Sequence, residues 1–245
     1  MSGLLCAGNV HAAILNDDGS FAGFLGIKNA IKLAISPGES EEKQRVSKQV
    51  ASYGQVLDSV VIPGKPMVTV DFDEGDAETI GLALQGNVAP LNLTTQTRTA
   101  VDLTVTALDT WLELGDRYIN PTGFLLKDNG GVNTLVQGVD YVVDLTMGLV
   151  KFLASGTVEA SDTVEKTYTT RAVTGSRISG SKKNQLRMRL LLNGKNLATG
   201  KPVVVELPSC TLRSASTFDP LLGEFAVTSL TGTIVGDYSV DHLDA

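Results

Sequence analysis

Four carboxylates fall within six consecutive positions of this chain, Asp71, Asp73, Glu74 and Asp76. Hard cations such as calcium seek several convergent oxygens of that kind. The run lacks the EF-hand spacing and its closing bidentate glutamate, however, and Asp76 stands immediately before an apolar-periodic stretch, where it reads better as a helix N-cap beside a solvated strand end. The two histidines, His11 and His242, lie near opposite ends of the chain with no nucleophile or metal-ligand spacing beside them. No G-x-S-x-G, Walker-type or G-x-G-x-x-G motif is present to place a nucleophile or cradle a phosphate. Cys6 and Cys210 form no C-x-x-C pair and suit a reducing compartment. This inventory predicts a protein that is not an enzyme and that uses no metal or cofactor.

Three further groups have a bland and a sharp reading. Asn92 and Thr94 match an N-glycosylation sequon, which without a secretory signal is read as chance. Trp111 and Tyr141 could stack on sugars, but in a chain with 5% aromatics the favoured reading makes them core anchors of a small sandwich. Lys182, Lys183, Arg187 and Arg189 could attract phosphate, and are read instead as a solvated connector or an intersubunit salt-bridge patch.

The elements that position these residues are set by composition. The chain has 245 residues, enough for one large domain or two small ones, and 42% of them are hydrophobic. Only 19% are charged, which predicts that apolar surface is buried by association. The 20 Lys and Arg against 27 Asp and Glu give a net charge of −7, which argues against a protein that clasps nucleic acid through its phosphates. The first residues carry no basic region of a signal peptide, and Lys28 and Lys32 interrupt the best apolar run, residues 21–35. A soluble, cytosolic product that does not span a membrane is expected.

The pattern along the chain is mainly β. Residues 2–35 read as strand, hairpin turn at 16–19, strand. Residues 39–53 form the most charged run. Glu39 with Lys43 and Glu41 with Arg45 have helical i,i+4 spacing, but Val46, Val50 and Tyr53 are the only sizeable apolar groups, so an extended, exposed arm is favoured over a helix. In residues 67–72, Met67, Thr69 and Asp71 share a wet or interfacial face, and Val68, Val70 and Phe72 the core face. Residues 76–86 read as a helix, stopping at Gly86 and Asn87. Short β runs at 101–107, 111–114, 124–127, 139–143, 149–153 and 164–169 have the spacing of a small sandwich. Connectors at 94–99 and 175–184 flank it, and strands follow at 186–192, 203–207, 211–214 and 225–235. The predicted domains are 1–97 and 173–245 as a core, with 98–172 inserted.

Several of these stretches together resemble the major tail tube proteins of long-tailed, non-contractile bacteriophages. They are Gly8 to Val10 with 24–29 and 35–36, the arm running through 48–59 into the Pro-bounded strand 62–72, the helix end at 82–86, residues 138–144 with Gly148, and 201–208 with 223–227. The resemblance implies a β-sandwich or half-barrel core flanked by a helix, with an inserted immunoglobulin-like sandwich. It also implies six copies closing a ring, and rings stacking into a tube through which DNA passes without specific binding. Partners would be further copies, a tape measure protein, a tail tip initiator and a tail terminator, with assembly in the host cytoplasm and residence in the virion tail. Glu41, Glu42, Lys43, Arg45, Val46, Lys48, Val50 and Tyr53 would form the contact arm between subunits or rings, and Thr69, Asp71 and Asp73 would face the lumen. The alternative is a non-enzymatic, adhesin-like binding module.

Overall fold

The structure, a computed structural model, describes residues 3–128, 130–221 and 223–244. The chain falls into two compact units, one formed by the residues up to 89 and from 177 onward, the other by residues 90–176. The strands in chain order begin with β1 (Cys6–Ile14), β2 (Ala30–Ser36), β3 (Glu41–Val46), β4 (Val56–Ile62) and β5 (Met67–Phe72). After helix α1 (Ala77–Ala83) come β6 (Asn87–Leu93), β7 (Thr97–Thr104), β8 (Trp111–Glu113), β9 (Leu125–Lys127), β10 (Tyr141–Asp144), β11 (Leu149–Phe152) and β12 (Thr163–Thr169). The chain ends with β13 (Val173–Ser179), β14 (Leu186–Asn196), β15 (Pro202–Ser214), β16 (Thr228–Ile234) and β17 (Ser239–His242).

The first unit is a half-barrel with strand order β1-β14-β15-β16-β5-β2, and β17 also pairs with β15. Its two ends are drawn together by a bridge between Val10 and Lys28 and by the Leu25 amide, which donates to the Ala12 carbonyl at 2.7 Å. Alternation places one face inside: Val68, Val70 and Phe72 are buried with Val10, Leu190, Leu207, Leu212 and Leu230, while Met67, Thr69 and Asp71 point the other way, as their spacing predicts. Helix α1 starts where expected, the Thr79 amide donating to Asp76 Oδ1 at 2.8 Å. Its interior glycine has a packing reason, since a Cβ on Gly81 would lie 2.6 Å from Val88 Cγ2. Leu82 plugs the helix into the core.

Several local expectations are corrected. The turn at 16–19 forms, but the strands around it do not pair as a hairpin: β1 pairs with β14 and β2 with β5. Fifteen residues separate β1 from β2, so no tight turn forces them together, and each fills an open edge of the larger sheet. Residues 203–207 and 211–214 are one strand, with a register shift opposite Pro208 where the missing amide is tolerated. Two strands appear where none was expected: β6, just ahead of the 94–99 connector, and β13, which runs into the 175–184 connector, pair as a two-stranded ribbon. Pro90 and a mostly exposed surface remove the alternation that would have marked them.

The second unit packs a β10-β11-β8 sheet and a β7-β12-β9 sheet around Leu114, Ile119, Leu126, Val150, Phe152, Val164 and Tyr168. The Leu114 carbonyl accepts from Tyr168 OH at 2.8 Å and from the buried Lys166 Nζ at 2.6 Å. Burial pulls the Lys166 pKa down and pushes Tyr168 up to about 12. Tyr141 is a core anchor as expected, but Trp111 is not. It is 51% exposed, because parity in β8 turns Leu112 inward and Trp111 outward.

At the start of this unit the chain leaves and returns side by side. Thr97 pairs with Thr169, and the Thr170 amide donates to the Gln96 carbonyl at 2.8 Å. Deleting residues 98–172 and joining Thr97 to Val173 through a short linker is therefore expected to leave a soluble half-barrel with a cooperative melt. Insolubility of every linker length tried would show that the half-barrel depends on the excised segment.

Candidate functional site

The charged arm is a strand, not a helix. Glu41, Glu42, Lys43, Arg45 and Val46 form β3 and pair with β4, Arg45 opposite Asp58, Lys43 opposite Val60 and Glu41 opposite Ile62. A helix here would have had no face to bury, whereas a hairpin pairs the backbone groups of β3 with those of β4. Lys48 lies in the short loop that follows, and Val50 opens a 3-10 turn, Val50–Ser52, that ends at Tyr53. The tip is closed by its own bonds: Ser47, buried, takes the Ser52 hydroxyl as a partner at 2.7 Å, and its amide donates to the Gln55 carbonyl at 2.8 Å.

Every residue of both hairpin strands is exposed. Reading from the arm alone missed the apolar half of this surface, Val56, Leu57, Val60, Val61 and Ile62, which are 42–60% exposed. Val50 is fully exposed and Tyr53 is 77% exposed. The signal was available: β4 is a β-branched-rich run bounded by Pro63 and Gly64, and all seven of its residues are exposed among the described residues. The charges are lightly engaged. Lys43 lies 3.8 Å from Glu41, Glu42 accepts from the Ser59 hydroxyl, and Arg45 and Lys48 make no ion pair among the described residues.

Of the three residues that the resemblance places at a lumen, two share a strand face and one lies beyond it. Thr69 and Asp71 lie on the outward side of β5, Thr69 Oγ1 3.1 Å from Thr231 Oγ1 and Asp71 4.0 Å from Lys32. Asp73 lies past the strand end and accepts from Asn29 Nδ2 at 2.7 Å. The remaining carboxylates of the acidic run converge on an ammonium that the sequence pattern did not connect to them. Lys28, only 4% exposed, bonds Asp76 and lies 3.7 Å from Glu74 and 3.3 Å from Glu78. The chain thus supplies its own cation at this cluster, and among the described residues no group of three or more metal-ligating side chains is assembled.

Burial opposes the charge on Lys28, but its bond to Asp76 and the charges of Asp76 and Glu78 outweigh it, so the Lys28 pKa is raised above 10.5. For Asp76 desolvation acts upward, and the Lys28 and Thr79 bonds hold it below 3.8. The Asp76 contribution to stability is therefore complete above pH 3.8 and lost as pH falls through its lower folded value. That of Lys28 is complete below pH 10.5 and lost only as pH rises through its higher folded value. Lys28→Met is expected to cost about 1–3 kcal/mol at pH 7, less than breaking a fully buried pair because the carboxylates are partly solvated. The deficit should begin to shrink below pH 3.8 and go on shrinking as pH falls through the lower folded value of Asp76; chemical denaturation at pH 7 and at a series of pH values below 3.8 checks both points.

The other candidates do not combine. His11 packs edge-on against Phe24, while His242 is exposed on β17. Arg187 donates to the Asp17 carbonyl and Arg189 pairs with Glu206, so the basic cluster is partly consumed within its own subunit. Burial raises the Cys210 thiol to about 12 and Cys6 is exposed on β1. Among the described residues no helix is long and apolar enough to cross a membrane. No curated protein matches this chain. A family model does match it, over residues 4–242, and the chain belongs to the family described as "Protein of unknown function UCP028589".

Proposed function

We propose that this chain is a structural subunit that self-assembles into stacked rings to form a tail tube, a conduit for DNA. The observation that carries the reading is the β3–β4 hairpin, whose two strands bury none of their residues and display five large aliphatic side chains on β4. A two-stranded hairpin is marginal alone in water, and an exposed apolar strand edge is a template for another chain. A neighbouring subunit that covers the hairpin solves both problems, and head-to-tail repetition of one such contact yields rings or tubes. Six copies per ring, and the tape measure, tail tip and terminator partners, rest on the resemblance to tail tube proteins.

The outward face of the half-barrel suits a lumen. On that face β5 and β16 present Met67, Thr69, Asp71, Ser229, Thr231 and Thr233, while Lys32 beside Asp71 and Arg213 opposite Thr231 are contributed by the flanking strands. Hydroxyls offer phosphates little grip and Asp71 offsets the charge of Lys32, so DNA would be held weakly along β5 and β16. Negative-stain microscopy of the purified chain at rising concentration tests the reading. Uniform hollow tubes or rings are expected, and a strictly monomeric species at millimolar concentration by sedimentation, with no tubes on seeding, would overturn it.

A further inference from the structure

The only tryptophan of the chain is half exposed on the solvent side of a three-stranded sheet, and what surrounds it suits a saccharide. In the β10-β11-β8 sheet, Val142, Lys151 and Trp111 lie side by side across the three strands, and Asp144, Leu149 and Glu113 form the next row. Val150, Phe152 and Leu112 point to the opposite, core face, so these six share the solvent side. Neighbouring strands stand about 5 Å apart and alternate residues about 7 Å apart along a strand, which gives a platform with room for one or two pyranose rings.

The chemistry of the two rows is complementary to such a ring. Lys151 Nζ lies over the Trp111 ring, 5.6 Å from its centroid, held there by cation–π attraction on a flexible stem that a stacking ring can push to its rim. Neither Lys151 nor Glu113 makes an ion pair among the described residues, so their hydrogen-bonding capacity is open. Asp144 is fixed by the Thr146 and Met147 amides, both of which donate to its Oδ1 at 3.0 Å. Glu113 also borders a small polar hollow of about 70 Å³, lined by Asp116, Arg117 and Met147 among others. An aromatic plate ringed by an ammonium and carboxylates, with a polar hollow beside it, matches a molecule with an apolar C–H face and a rim of hydroxyls.

We propose that this face is a saccharide-binding platform, with a pyranose ring stacked on Trp111 and its hydroxyls donating to Glu113 and accepting from Lys151. The site lies wholly within the second unit and does not depend on tube formation.

The uniqueness of Trp111 makes its fluorescence a direct reporter. The full chain, kept dilute, is titrated with oligosaccharides of glucose, of galactose and of N-acetylglucosamine. At least one should shift the emission saturably. Calorimetry with that sugar should show at least about tenfold weaker binding for Trp111→Ala, the ordinary loss when an aromatic anchor is truncated. Glu113→Gln should weaken it severalfold with unchanged melting. Unchanged binding in Trp111→Ala would overturn the proposal, as would emission unmoved by every sugar at about 10 mM, a concentration that detects millimolar affinity, while acrylamide still quenches it. Protection from acrylamide that grows with protein concentration alone, with no effect of sugar, would assign the face to self-contact and equally overturn it.

Discussion

Under the tube-forming role proposed above, replacing Val56, Val60 and Ile62 together with threonine is expected to abolish assembly without unfolding the chain. Threonine keeps the β-branched shape that β4 needs. The three side chains are 52%, 57% and 42% exposed, so the subunit itself gains little from them, and surface changes of this kind ordinarily stay within about 0.5 kcal/mol. In an assembled tube each would lose its remaining contact with water. At about 1–1.5 kcal/mol for the half of a Val or Ile side chain still to be buried, three residues contribute about 3–4 kcal/mol per subunit, which raises the critical concentration more than about a hundredfold. Sedimentation and negative-stain microscopy at matched concentrations check the point. Tubes of the triple variant at an unchanged critical concentration would remove the hairpin from the assembly contact.

The charged half of the same hairpin should behave differently. Arg45 and Lys48 make no ion pair within the described subunit, and rim charges set orientation and encounter rate more than affinity. Reversing both to glutamate is expected to slow assembly several-fold at low salt and to lose that effect as salt screens it. Amide exchange separates the two contributions. The hairpin amides should exchange quickly in the dilute subunit, because an isolated two-stranded ribbon opens readily, and slowly once covered.

What could be read in advance divides along burial. The inward face of β5, the N-cap at Asp76 and the core strands of the second unit were visible because a half-buried strand alternates and a capped helix announces its start. The β6–β13 ribbon and β17 were not, since strands with little or no buried surface carry no alternation. Strand partners were out of reach for a related reason. Nothing local in β1 states that it belongs beside β14, more than 170 residues away, and the nearby turn at 16–19 offers a misleading alternative. The acidic run illustrates the same limit at a site: it reads as a helix cap beside a solvated strand end, and the ammonium that Glu74 and Asp76 share with Glu78 is Lys28, more than 40 residues earlier in sequence. Trp111 shows that composition is a poor guide to a single residue, because one step of strand parity decides whether the ring is a core anchor or a surface plate.

Gly232→Val is expected to be the most damaging single change in the half-barrel. Gly232 sits in β16 opposite Leu212 of β15 and Val68 of β5, in the middle of the curved sheet. A Cβ built there would lie 1.9 Å from the Thr211 carbonyl oxygen and 2.9 Å from Leu212 Cα, so the obstacle is the backbone of the neighbouring strand and no side-chain rotation can relieve it. The physical cause is curvature. A sheet that bends far enough to bring β1 within bonding distance of the segment before β2 must press some strands together, and glycine is the residue that permits it. Relieving the clash would flatten the sheet and open the packing of Val68, Leu212 and Leu230, which are all buried within it. The cost should exceed about 4 kcal/mol, in the range reached only when a core or its backbone is broken. Thr233→Val, one residue along and on the outward face, serves as the control and should melt within a few degrees of the natural chain. A soluble Gly232→Val subunit with the same melting temperature as that control would show that the half-barrel does not need its glycine to bend.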